Sequence, residues 1–287
     1  MRLLLFAFVM SIVLACGAGA ASEKGKVKDI RIYIHTDLEG VTGIDTFEMI
    51  QRDGKRFQEC CKLLMGDVNA AVDGAFAGGA QHVTVLDSHG GGKNFIAELL
   101  DPRAECDPKT NRQWWGKLDN SYSGTFFIGA HAMAGTINGF LDHTQNSLQW
   151  YNYIVNGRKT GELGQWGIVA GSFGVPMLMV SGDEAACVEA RQFFNPVETA
   201  VVKRGIGRNR AELVETAEAR VRIREAARKS IALIGTAKPY VVTMPMEIVL
   251  EFNRSDFCEA RLKRECIERI DARTIRKVTS NPLALLP

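Results

Sequence analysis

Three consecutive segments near the start of the chain limit the fold most. KDIRIYIHT (28–36) and HVTVLD (82–87) are rich in β-branched and aromatic residues, and between them residues 56–78 repeat Ala and Leu with helical periodicity. Strand, helix and strand at this spacing predict a parallel βαβ unit. The pattern goes on through the strand-like GTFFIGA (124–130), a hairpin around 151–155 with Asn156-Gly157 at its turn, and a helix from Leu163 to about Phe173. VPMLMVS (175–181) then reads as a buried strand, and Asp183 as the cap of a helix ending near Phe193. The expectation is an α/β domain over 27–195, with a mostly parallel sheet and flanking helices. After Asn195-Pro196 the texture changes: a long amphipathic helix over 210–234, Lys238-Pro239, an extended run over 240–252, a helix or turn and a last strand. Residues 196–287 therefore read as a smaller C-terminal α+β region.

The opening MRLLLFAFVMSIVLACGAGAAS has one basic residue, an apolar core too short for a span of roughly 20 residues, and small residues at Ala18-Gly19-Ala20. It reads as an export signal over 1–20. Val13-Leu14-Ala15-Cys16 also fits a lipobox, which would leave a lipidated Cys16 as a membrane tether. The product is expected outside the cytoplasm, as a periplasmic, extracellular or membrane-anchored protein. About 265 residues then remain, enough to bury a substantial core. The formal net charge of +2 gives no argument for nucleic acid as a partner. The strongest basic cluster, 203–229, is interleaved with Glu212, Glu215, Glu218 and Glu225 and reads as a solvated helix face. Cysteines other than Cys16 include Cys258 and Cys266, the closest pair with a workable gap for a disulfide, and no CxxC spacing suggests a cysteine metal site.

Of five histidines, three follow strand-like runs: His89 in VLDSHGGG, His131 in FIGAHAMAG and His143 in FLDHTQ. Asp37 and Glu39, in HTDLEGVTG, end the first strand in the same way. Ligands collect at the carboxyl ends of parallel strands, so these side chains are expected to converge. Buried carboxylates are costly unless paired or coordinated, and imidazole with carboxylate suits zinc or a similar divalent ion. Plainer readings remain open for each residue alone. Asp37 and Glu39 can shape a turn before Gly40, Glu162 can be a first-turn acid favouring a helix dipole, and His89 can satisfy its own loop. His35 and His82 read as structural, and Trp114-Trp115 as packing or an aromatic edge facing substrate.

Taken together, TDLEG, LDSH, GAHA, a histidine about a dozen residues later, and GELG occur in an order that resembles the zinc-dependent D-aminopeptidase family. The resemblance runs from about Ile30 to Val188. It implies a peptidase with two zinc ions per chain, acting on short peptides with an N-terminal D-amino acid, of the D-Ala-D-Ala kind. It also implies that Asp37 bridges the two metals, that Glu39, His89, His131 and Glu162 complete the ligands, and that His143 is the catalytic histidine. Family membership further implies a ring-shaped homo-oligomer. Asp87 and Asp142 are candidates to orient the neighbouring imidazoles, or else are turn acids. Another dinuclear metal amidohydrolase or phosphoesterase is one competing reading, and an exported binding lipoprotein without turnover is another.

Overall fold

The computed structural model describes residues 29–108 and 113–286, so the export signal and Cys16 lie outside the described residues. The first part of the chain forms β1 (Arg31–Thr36), α1 (Phe57–Gly78), β2 (His82–Leu86), the short β3 (Glu105–Cys106) and β4 (Gly124–Ala130). Next come β5 (Trp150–Val155), β6 (Arg158–Lys159), α2 (Glu162–Ser172), β7 (Met177–Asp183) and α3 (Glu184–Phe193). Then follow β8 (Glu198–Gly207), β9 (Arg210–Leu213), α4 (Thr216–Ser230), β10 (Met246–Phe252), α5 (Ser255–Arg261), β11 (Ile267–Arg269) and β12 (Thr274–Thr279).

Among the described residues, the main sheet has seven strands in the order β3-β2-β1-β4-β7-β8-β9. All its pairings are parallel except the hairpin of β8 with β9. β1 lies near the centre, and alternation along it serves two cores. Ile32 and Ile34 face Leu64, Val68 and Val72 of α1, with Ala219 and Ile223 of α4 in the same cluster. Tyr33 belongs to the opposite layer, with Leu163 and Trp166 of α2, Ala186 of α3 and Ile248 of β10. That second layer also carries an antiparallel sheet in the order β11-β12-β10-β5-β6. The α/β class and the mostly parallel sheet are as expected from the sequence.

The division at 195/196 does not coincide with a division between sheets. β5 and β6 lie upstream of it yet pair with β10, while β8, β9 and α4 lie downstream and complete the main sheet and its outer layer. The helix expected from residue 210 begins at Thr216 instead, because residues 210–213 pair with β8 as its antiparallel neighbour. Glu212 stands opposite Arg204 and accepts from its Nε at 3.1 Å. Glu215 then caps α4 by accepting from Ala217 N and Glu218 N. Cys258 is buried, Cys266 is exposed, and both are free thiols, so the disulfide considered for them does not form. No helix among the described residues is long and apolar enough to cross a membrane.

The carboxyl ends of β1 and β4 approach so closely that side chains are excluded. Asp37 N donates to Ile128 O and Gly40 N to Gly129 O, both at 2.8 Å. A methyl on Gly40 would sit 2.0 Å from Ala130 O, and one on Gly129, where φ is +81°, would sit 2.2 Å from Asp37 O. Gly40→Ala is therefore expected to destabilise the fold by about 3 kcal/mol, the upper end of the usual cost of overpacking. Urea unfolding checks this, and an unchanged midpoint would show that the two loops separate freely.

Candidate active site

Three adjacent strands deliver the site. Asp37 and Glu39 follow β1, His89 follows β2, His131 follows β4, and Glu162 opens α2. His143 lies in the long connection between β4 and β5. All six side chains expected from the sequence meet at the carboxyl end of the main sheet. His89 Nε2 is 3.5 Å from Glu39 Oε1, while His131 Nε2 lies 3.4 Å from both Asp37 Oδ2 and Glu162 Oε1. His143 Nε2 is 3.8 Å from Glu39 Oε1 and 3.7 Å from Glu162 Oε1. Asp37, Glu39 and His131 are buried, and Glu39 Oε2 and His131 Nε2 have no hydrogen-bond partner.

Those orphaned atoms are what a cation would satisfy. Asp37, Glu39 and His89 offer ligand atoms within 4.8 Å of one another, and so do Asp37, His131 and Glu162. Asp37 is common to both groups. A third combination, Glu39 with His131 and His143, overlaps both. Carboxylate oxygens mixed with imidazole nitrogens form a donor set that fits zinc and similar divalent ions.

Backbone carbonyls, rather than acids, set the imidazole tautomers. His131 Nδ1 is 3.0 Å from Ala132 O and His143 Nδ1 is 2.8 Å from Leu141 O. A carbonyl only accepts, so Nδ1 carries a proton in each ring, and when the ring is neutral Nε2 is left facing the site with a lone pair. The two rings stack at 4.0 Å. Asp87 and Asp142 are loop-shaping acids instead: Asp87 accepts from Asn94 N and Phe95 N, and Asp142 accepts from Gly135 N.

Charge in the site is strongly coupled. Burial pushes Asp37 up to about 7, reinforced by Glu39 and resisted by His131. Burial also works against ionised Glu39 and Glu162, but imidazoles outweigh it in both cases. His89 holds Glu39 well below the usual carboxylate range, and His131 holds Glu162 at about 2 with help from the Gln145 amide. Burial would lower His89 and His131, yet the surrounding carboxylates raise His89 to about 9 and His131 well above its ordinary value. His143 moves the other way, lowered by burial and by the neighbouring charge of His131.

Several supporting residues escaped the sequence reading. Lys203, grouped there with a solvated helix face, is fully buried on β8, and its Nζ donates to Glu39 O at 2.8 Å and Ile44 O at 2.7 Å. Burial pulls its pKa down to about 7 against the pull of Asp67 and Asp183. The available signal was its place in the β-branched run TAVVKRG, a strand pattern rather than a helical one. Gln145, with φ at +60°, turns its N–H onto Glu162 Oε1 at 2.6 Å. Arg52 donates to the carbonyls of Gly90 and Gly92 and so braces the turn that carries His89. His35, read as structural, stacks on Trp166 at 4.2 Å and also lines a cavity of about 360 Å³ with Trp114, Asp37, Glu162 and His143. A second cavity of about 420 Å³ shares His89, His143 and Gln145 with the first in its lining.

The sequence profile of the D-aminopeptidase family matches residues 30–286. The chain belongs to that family. The D-aminopeptidase of Bacillus subtilis (strain 168) is 33% identical over 237 residues, covering 80% of this chain and 84% of the relative. The solved structure of the Zn-dependent D-aminopeptidase DppA from Bacillus subtilis, described as a self-compartmentalizing protease, shares the fold with a TM-score of 0.83. That likeness spans 88% of this chain and 93% of DppA at 26% identity. The chain is thus a peptidase, and its family match continues to residue 286, beyond the span of the short motifs.

Two outcomes follow for this D-aminopeptidase family member. Raised imidazole pKa values mean that protons compete with a cation for His89 below about pH 9, and His131, held well above its ordinary value by the same carboxylates, adds to that competition. Zinc titrated into the chelator-stripped protein at pH 7.5 should release protons and bind more tightly as pH rises. Calorimetry in buffers of different ionisation enthalpy measures the release, and none at pH 7.5 would contradict the charge assignment. Lys203→Met leaves the carbonyls of Glu39 and Ile44 without their ammonium donor and removes a positive charge from beside Asp67 and Asp183, so it should cost about 3 kcal/mol in denaturant unfolding. A neutral result would mean that the buried ammonium holds nothing.

Proposed function

We propose that the protein is an exported, zinc-dependent aminopeptidase that hydrolyses short peptides carrying an N-terminal D-residue, with two metal ions in each site. One observation carries the dinuclear reading: two donor groups, Asp37-Glu39-His89 and Asp37-His131-Glu162, share a single carboxylate. Asp37 would bridge, with Glu39 and His89 on one ion and His131 and Glu162 on the other. When bound, such a pair supplies an activated water at neutral pH and polarises the scissile carbonyl.

The remaining chemistry belongs to the chain. Hydrolysis breaks the peptide C–N bond, forms a C–O bond, and moves a proton from water to the departing amine. His143 Nε2 is suited to that transfer, because Leu141 O holds the proton on Nδ1 while burial and His131 keep the ring neutral near pH 7. The first cavity, which Asp37 and Glu162 help to line and which has no lysine or arginine in its lining, leaves room for a substrate's free α-amino group. The preference for a D-residue, like assembly into a closed homo-oligomer, is supported by likeness to DppA. Export is supported by the apolar N-terminal segment ending in small residues, with Cys16 placed for lipidation. Mass spectrometry of the mature N-terminus distinguishes a lipidated Cys16 from plain cleavage.

Zinc-loaded protein should release D-Ala from D-Ala-D-Ala faster than L-Ala from L-Ala-L-Ala, and should leave p-nitrophenyl phosphate intact. His143→Ala should retain zinc by elemental analysis while losing roughly 10²- to 10⁴-fold in turnover. Asp37→Ala should lose both metal and activity. Full activity in either variant would defeat the assignment.

A further inference from the structure

The two cavities beside the site differ in their basic residues. The first has Asp37 and Glu162 in its wall and no lysine or arginine among its lining residues. The second, about 420 Å³, begins at Glu39, His89 and His143, passes apolar side chains such as Phe47 and Leu148, and includes one guanidinium, Arg208. A guanidinium in a cavity that adjoins the centre matches a substrate whose released residue ends in a carboxylate.

Arg208 is well placed for this task. It stands at the turn between β8 and β9, where Gly207 pairs with Arg210. Its carbonyl accepts from Leu141 N at 2.6 Å, tying the turn to the loop that carries His143. The guanidinium is only loosely engaged by the protein. Nε lies 3.6 Å from Asp142 Oδ1, beyond hydrogen-bond length, and Nη1 reaches Asn209 Oδ1 at 3.4 Å. The side chain is 44% exposed, so a ligand can reach it. Five fixed N–H donors match a carboxylate in bidentate fashion, which a lysine ammonium does not.

We propose that Arg208 binds the free C-terminal carboxylate of the substrate on the leaving-group side of the centre, and thereby restricts the enzyme to very short peptides. This rests on the peptidase reading above and adds to it how chain length is sensed. The N-terminal residue lies toward the first cavity, the scissile bond lies at the centre, and the residue released second lies in the cavity that Arg208 closes. A longer peptide carries a neutral amide where Arg208 requires a carboxylate, and it must also extend past that side chain.

The test compares D-Ala-D-Ala with its C-terminal amide on the zinc-loaded, full-length protein and on Arg208→Met and Arg208→Lys. For the unmodified protein, amidation should raise KM by roughly 10- to 100-fold, the range of a hydrogen-bonded ionic contact, with little change in kcat. Arg208→Met should show the same rise with the free acid and no further rise with the amide, and Arg208→Lys should recover part of the loss. An active enzyme indifferent to amidation would overturn this proposal alone. Equal losses on both substrates in Arg208→Met would likewise overturn it, by showing a structural role. A zinc-loaded protein inert toward both peptides would overturn the peptidase reading, and this inference with it.

Discussion

Three carboxylates, Asp37, Glu39 and Glu162, share one space at the end of a parallel sheet, and the rest of the site answers that charge. In so confined a place like charges repel strongly and burial disfavours each ion, as the rise of Asp37 to about 7 records. The chain offers two kinds of compensation. Protonated His89 and His131 can neutralise the cluster, with their pKa values raised to suit. Divalent cations can take the same lone pairs once those protons leave. Protons and metal are therefore alternatives at one set of atoms, which explains why the histidines that look most basic are those best placed to be ligands.

Holding such a cluster together requires a scaffold that does not yield. The exit of β1 is fastened to β4 by Asp37 N–Ile128 O and Gly40 N–Gly129 O at 2.8 Å, with no room between them for a side chain. From β8, Lys203 reaches under the same loop and binds the carbonyls of Glu39 and Ile44. Its charge lies near Asp67 and Asp183, which burial also pushes upward. A buried ammonium is costly in itself, and the two carbonyls and two acids around it show how that cost is offset. It is a structural cation that organises an anionic site without entering it.

How much of this was readable in the sequence depends on range. Short motifs at strand ends were readable, because period-two apolar runs mark where strands stop and because, although Asp, Glu and His there each have ordinary structural uses, five such motifs occur together in one order. The hairpin at Asn156-Gly157 was readable for the same local reason: both residues have positive φ, at 48° and 79°. Lys203 was not, since a lysine amid neighbouring charges looks solvated until the strand that carries it is known to be internal. Residues 210–213 were drawn into the following helix because their composition suits either state. Only the partner strand, with Arg204 opposite Glu212, decides for β. The sheets do not follow the boundary at Asn195-Pro196, because the strands of each come from both sides of it.

The spacing between His131 and His143 acquires a reason from the fold. A single excursion leaves β4 with His131, returns through His143, and ends at Gln145, whose N–H holds Glu162. Within that excursion both imidazoles donate Nδ1–H to a nearby carbonyl, so both Nε2 atoms point the same way. Their environments then separate them. His131 contacts two carboxylates at 3.4 Å and has its pKa raised, whereas His143 stacks on it at 4.0 Å, stands farther from the acids, and is lowered. One loop thus provides a candidate metal donor, a neutral imidazole stacked beside it, and an amide that fixes a second candidate donor. Lengthening or shortening it would disturb all three together, so the dozen-residue interval follows from the geometry of the site.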